Sequence, residues 1–195
     1  ARAFPHSWFY ARTDRGISNL QDLRGKRVGI SAYQRTLNVW ARGFLASEQG
    51  IGPDDIQWAI KDSSEAMAAF QPQGVPIEIL NTKESLSALL EAGALDAVIS
   101  AHPPECLARS TASVKRIIQN DLISASDYFA RTEIFPILHV MGVRRELLKE
   151  RPSLARDLFV AFSEAKRLAE AGAVITWQDR ANLYGTHMSE RKTLG

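Results

Sequence analysis

The chain carries four histidines and one cysteine, and these are the first residues to weigh for chemistry. His139 sits inside FPILHVMGV, residues 135–143, an apolar run that reads as a buried strand. In such a strand Phe135, Ile137 and His139 share one face, and Pro136, Leu138 and Val140 the other. A buried imidazole needs a hydrogen-bond partner. The pattern alone therefore favours a satisfied structural histidine, with a strand lining a cleft as the sharper alternative. His102 follows the apolar run LDAVIS beside Pro103 and Pro104, where it either faces a crevice or is an ordinary loop histidine. His6 stands at a strand edge next to Pro5. The four are far apart and match no metal spacing such as HExxH, so no cofactor is expected; a metal bridging histidines that meet in space stays open. Cys106 cannot form an internal disulfide, and PPECLAR has no nucleophile signature, so it reads as a small buried hydrophobe. There is no GxGxxG, no phosphate-binding loop and no GxSxG elbow.

A second group follows the short apolar run RVGI. The segment Ser31-Ala32-Tyr33-Gln34-Arg35-Thr36 opens a helix, whose free N–H groups and positive dipole end suit an anion. Ser31 and Thr36 offer hydroxyls, and Arg35 can grip a carboxylate at two points. Ser31 or Thr36 capping the helix is an equally simple use, compatible with the first. Tyr33 and Ser100 complete the candidate substrate-binding set, together with His6 and Phe135.

The elements that must position these groups alternate. HSWFYAR (6–12) reads as a strand, and Leu20 and Leu23 seat a short helical turn. RVGIS (27–31) is a buried parallel strand. Leu37, Trp40, Ala41, Phe44 and Leu45 line one helix face, ended at Gly50. IQWAI (56–60), IEIL (77–80), LDAVIS (95–100) and VKRIIQ (114–119) read as further strands. Residues 61–76 read as a polar loop around a short helical piece, and 85–92 and 121–131 as helices. Pro152 suits the first turn of a long helix over 152–171, followed by a polar tail. This order implies an α/β sheet flanked by helices, whose ligands bind outside the carboxyl ends of its strands.

Composition sets limits on partners. The chain has 195 residues, 45% hydrophobic and 24% charged, and a net charge of +2 without blocks of one sign. That is ordinary globular composition and gives no nucleic-acid footprint. No apolar run reaches the ~18 residues a membrane helix needs. No secretory signal is visible, so a cytoplasmic location is expected.

Several stretches resemble one family. DLRGKRVGISAYQRTLNVWARGFL, GALDAVISAHPP, TEIFPILHVMGVRRELL and FPHSWFYARTDRGI are similar to the corresponding motifs of the 4,5-dihydroxyphthalate decarboxylases and their relatives. The similarity runs from about residue 4 to residue 171. The resemblance implies a two-lobed, type II periplasmic-binding-like fold with mixed sheets flanked by helices. Residues 5–131 would be the second lobe, and 132–195 a return segment of the first lobe, which is incomplete in this chain. Exposed sheet edges would then favour self-association as a homo-oligomer. The implied activity is cofactor-free decarboxylation of a small anionic aromatic substrate between the lobes. His139 and His102 would serve as acid and base, and Arg35 as carboxylate clamp. Ser31-Ala32 stands where the family has proline–glutamate, which sets this chain apart from strict phthalate chemistry. The alternative is a solute-binding protein of an uptake system for a small carboxylate or sulfonate, which would be periplasmic.

Overall fold

The computed structural model describes residues 4–61, 72–109 and 113–179. The chain divides into two compact units, Ala1–Leu138 and His139–Gly195. Among the described residues the first unit has six strands: β1 (Phe9–Arg12), β2 (Arg27–Ile30), β3 (Gln57–Ile60), β4 (Ile77–Ile79), β5 (Ala97–Ile99) and β6 (Val114–Arg116). Their order is β4-β3-β2-β5-β1-β6. Strands β2 to β5 run parallel, and β1 is wedged antiparallel between β5 and β6. The mixed α/β architecture expected from the alternating pattern is thus present.

The helices follow from local chemistry. Helix α1 (Thr36–Gln49) turns its buried residues Ala41, Phe44 and Leu45 to the sheet. It stops at Gly50, whose φ of 64° is left-handed; Gly50 N–H donates to Ala46 O at 3.2 Å and Ile51 N–H to Leu45 O at 3.1 Å. Glycine adopts that conformation without a Cβ clash, and the buried Ile51 seals the turn. Helix α2 (Leu86–Glu91) is capped by Ser85, whose Oγ accepts from Ala88 N–H at 3.0 Å. Helix α3 (Asp121–Thr132) packs Tyr128 into the aromatic group of Phe4, His6 and Phe44. On the sheet, Tyr10, Ala59, Leu80, Leu89, Leu90, Leu95, Val98, Cys106 and Val114 form one buried cluster. Cys106 is fully buried in it, as its lack of a nucleophile motif suggested.

Gly29 in β2 permits a close approach of side chains to the sheet. A Cβ there would lie 2.5 Å from Leu95 Cδ1 and 3.2 Å from Leu86 Cδ2.

Several boundaries differ from the sequence reading. The first strand begins at Phe9, not at residue 6, because Pro5 opens a 3₁₀ turn closed by Trp8 N–H on Pro5 O at 3.0 Å. His6 lies in that turn and is buried, instead of standing at a strand edge. Strand β6 covers only 114–116 of the expected 114–119.

The largest correction concerns residues 135–143. They form no strand, and no strand among the described residues pairs with them. Ile137, Val140 and Met141 are exposed, and so is His139. An apolar alternating run records a tendency to be buried, but a strand requires a partner for its N–H and C=O groups. The part of this segment within the first unit is held otherwise. Phe135 meets Phe4 edge to face with centroids 4.8 Å apart, and Trp40 Nε1–H donates to Ile137 O at 3.0 Å.

The second unit contains α4 (Arg145–Glu150) and α5 (Leu154–Asp179). Helix α5 starts two residues after Pro152, and the hydroxyl of Ser153 donates to Asp157 Oδ2 at 2.8 Å at its first turn. Several of its apolar side chains are open: Phe159, Phe162 and Leu168 are each more than half exposed.

Candidate functional site

The ladder fixes which residues meet at the carboxyl ends of the parallel strands. Ile30 of β2 pairs with Ile60 of β3, and Ile60 with Ile79 of β4. Beyond those pairs, Lys61 N–H donates to Ile30 O at 3.2 Å, and Leu80 N–H to Ile60 O at 2.8 Å. On the other side, Gly29 pairs with Val98, and Ser100 N–H donates to Trp8 O at 2.9 Å. The resulting row along the sheet edge reads Leu80, Lys61, Ser31, Ser100, Trp8. Neighbouring strands are about 4.8 Å apart, so Lys61, Ser31 and Ser100 lie within reach of one small ligand. All three are half-buried.

The turn after Ser31 presents the start of α1. Arg35 is the N-cap residue, and no side chain caps the helix. The capping role open to Ser31 and Thr36 is therefore not taken up, while Arg35 and Thr36 are exposed. The turn is pinned from below by Asn38, which is buried and donates from Nδ2 to Ala32 O at 2.6 Å. Its Oδ1 is buried without a partner among the described residues. Ala32 itself is fully buried.

Tyr33 takes a supporting place. Its ring is buried edge-on to Trp58, with the Arg42 guanidinium 3.6 Å from its centroid. Arg42 also donates to Tyr33 O at 2.6 Å, and burial pulls that guanidinium below its ordinary value. His102 is exposed beyond β5, its backbone N–H donating to Ser100 Oγ at 3.3 Å. Ser31, Arg35, Thr36, Ser100 and His102 thus gather on one edge of the first unit.

His6 does not join them. It is 3% exposed, with its ring 4.4 Å from that of Phe44 and 5.5 Å from that of Tyr128. Burial lowers it to a pKa of about 4, since the charged ring would lose its hydration. It lines a groove of about 410 Å³ beside α1 and α3, with Phe44, Glu48, Asp127, Tyr128 and Arg131. Arg131 there is paired to Glu48, so the groove offers an anion no uncompensated cation among its described residues. Phe135 is half-buried against Phe4 and Phe129. His139 is the first residue of the second unit.

Lys61 is the residue the sequence reading missed. It is the first residue after IQWAI, and the strand-end rule that selected Ser31 and Ser100 selects it as well. Among the described residues no group of three or more His, Cys, Asp or Glu could hold a metal ion, and no helix is long and apolar enough to cross a membrane.

The mixed α/β sheet thus carries hydroxyls and cations together at its carboxyl edge, a chemistry suited to a small anion. Known proteins share much of this sequence. The chain is 38% identical over 174 residues to the 4,5-dihydroxyphthalate decarboxylase of Comamonas testosteroni, covering 87% of this chain and 53% of that protein. It is 36% identical over 135 residues to the enzyme of the same name from Pseudomonas putida, covering 66% of this chain and 52% of that one. The chain is thus a relative of the 4,5-dihydroxyphthalate decarboxylases, as its motifs implied, and spans about half the length of the curated relatives it matches. No family model matches it. Among solved structures it is similar to the periplasmic aliphatic sulphonate binding protein SsuA from Escherichia coli, at 16% identity and a TM-score of 0.48, over 98% of this chain and 55% of that one.

Proposed function

We propose that this protein decarboxylates an aromatic carboxylate resembling 4,5-dihydroxyphthalate, without a cofactor, to give 3,4-dihydroxybenzoate. The observation that carries the reading is the 38% identity over 174 residues to a protein of that name. The chemistry needs a proton at the carbon that bears the departing carboxylate. A hydroxyl para to that carbon releases its proton to a base and pushes an electron pair into the ring. The ring carbon takes a proton from a general acid. The carbon–carboxylate bond then breaks, CO2 leaves, and the bonding pair restores the aromatic ring. Imidazole suits both proton roles near neutral pH. His102 and His139 are the acid/base candidates. Arg35 clamps a carboxylate, with Ser31, Thr36 and Ser100 as hydroxyl partners and Tyr33 holding the turn beneath them. A site poor in water strengthens each of these contacts.

The test is incubation of the protein, expressed from its complete native reading frame, with 4,5-dihydroxyphthalate. The expected result is release of CO2 with formation of 3,4-dihydroxybenzoate. Saturable binding with no CO2 would replace decarboxylation by ligand binding alone. A folded His139→Ala variant with unchanged turnover removes His139 from the mechanism, and the same holds for His102→Ala.

A further inference from the structure

We infer that Lys61 joins Arg35 in holding the carboxylate that stays on the ring, which makes it a determinant of selectivity for a dicarboxylate substrate. The inference rests on the decarboxylase reading and deepens it.

Three observations converge. The first is position: Lys61 follows the last residue of β3 and is tied by its N–H to Ile30 O, directly beside Ser31 in the strand-end row. The second is the fixing of its ammonium. Lys61 Nζ donates to Glu84 O at 2.5 Å and to Lys83 O at 3.5 Å. A lysine ammonium has three N–H donors. One is committed to Glu84 O and a second lies at the limit of reach of Lys83 O, and among the described residues no side chain takes the third. The third is charge. Carbonyls satisfy the donors without cancelling the charge, and no acidic side chain among the described residues pairs with this ammonium.

The opposite edge of the sheet is arranged differently. There Arg27 pairs with Glu78 at 2.8 Å, Arg24 with Asp55, Arg15 with Asp96 at 3.5 Å and Arg12 with Asp14 at 2.6 Å. The edge at the amino ends of the parallel strands, where antiparallel β1 ends in Arg12, neutralises its arginines within the fold. At the carboxyl ends Lys61 is held in place and left charged.

Which carboxylate it holds follows from the reaction. A carboxylate that leaves as CO2 loses its charge on the way to the transition state. A cation bound to it would stabilise the ground state more than the transition state and slow the step. The carboxylate that remains keeps its charge throughout, so a cation there binds substrate, transition state and product alike. Such uniform binding sets KM and not kcat.

The experiment uses Lys61→Gln and Lys61→Arg in the protein expressed from its complete reading frame. It measures kcat and KM for 4,5-dihydroxyphthalate, and inhibition by 3,4-dihydroxybenzoate and by catechol. Lys61→Gln is expected to raise KM and the product inhibition constant together, by about tenfold to a hundredfold. It should leave kcat within about threefold and leave catechol inhibition, which involves no carboxylate, unchanged. Lys61→Arg restores most of the affinity. Added salt should raise the wild-type KM more than that of Lys61→Gln. Unchanged KM and product inhibition in Lys61→Gln overturn the assignment and leave the decarboxylase reading standing. A fall in kcat with KM preserved overturns it too, because it places the ammonium on the reacting centre. If the wild type binds 4,5-dihydroxyphthalate without turnover, the decarboxylase reading fails and the dissociation constants of the same three proteins decide Lys61. No binding by the wild type overturns both.

Discussion

His6 shows how one buried ring couples proton binding to stability. Its folded-state pKa of about 4 lies below the ordinary 6.5 because burial disfavours the charged form. The unfolded chain therefore binds more protons than the folded one between those values. The contribution to stability is complete above about pH 6.5 and is lost as pH falls toward 4. After discounting for solvent in the adjoining groove, it is worth up to about 2 kcal/mol. Urea midpoints of the wild type should fall between pH 7 and pH 4.5, and His6→Phe should flatten that part of the profile. An equal slope in both proteins would rule out His6 as its source. None of this was legible in the sequence, where His6 read as a strand-edge residue: a proline can open a turn as readily as flank a strand. Lys61 was legible and overlooked. The lysine closes an obvious strand, but the polar sequence after it drew the whole stretch into a loop. The common edge of Arg35, Ser31 and Ser100 was legible because their strands end in recognisable turns.

At the scale of elements, close packing and capping set the tolerances of the edge that carries the site. Gly29→Ala drives a methyl into Leu95 and Leu86. Overpacking of this kind costs about 1–3 kcal/mol, and a chemical-denaturation midpoint should show it. Ser85→Ala removes the acceptor for Ala88 N–H at the start of α2 and should cost about 1 kcal/mol. Because Lys61 bonds the carbonyls just before that cap, the same variant should also raise KM modestly. A stability loss with KM untouched would show that the loop keeps its shape without the cap. Strand and helix order was legible in the first unit because each apolar run there has a partner to pair with or a sheet to cover. The run 135–143 has the same pattern and a different outcome. Periodicity within a segment carries no information about whether a neighbouring strand exists.

For the molecule as a whole, the exposed apolar residues of 137–168 are the feature with consequences for handling. Val140, Met141, Phe159, Val160, Phe162 and Leu168 are all more than half exposed. Apolar side chains left in water drive association in proportion to their area. The 195-residue chain, purified alone, should self-associate with rising concentration in sedimentation velocity. A Phe159→Lys, Phe162→Lys double variant should shift it toward monomer. A concentration-independent monomer in the unaltered chain would contradict this.

The lone sulfhydryl offers a clock. Cys106 is fully enclosed in the sheet-side core, so an aromatic disulfide reagent can reach it only when that region opens. Its labelling rate, followed against denaturant, therefore times the breathing of the core without any introduced probe. Ligand added during labelling should slow the clock by the factor with which it favours the closed fold.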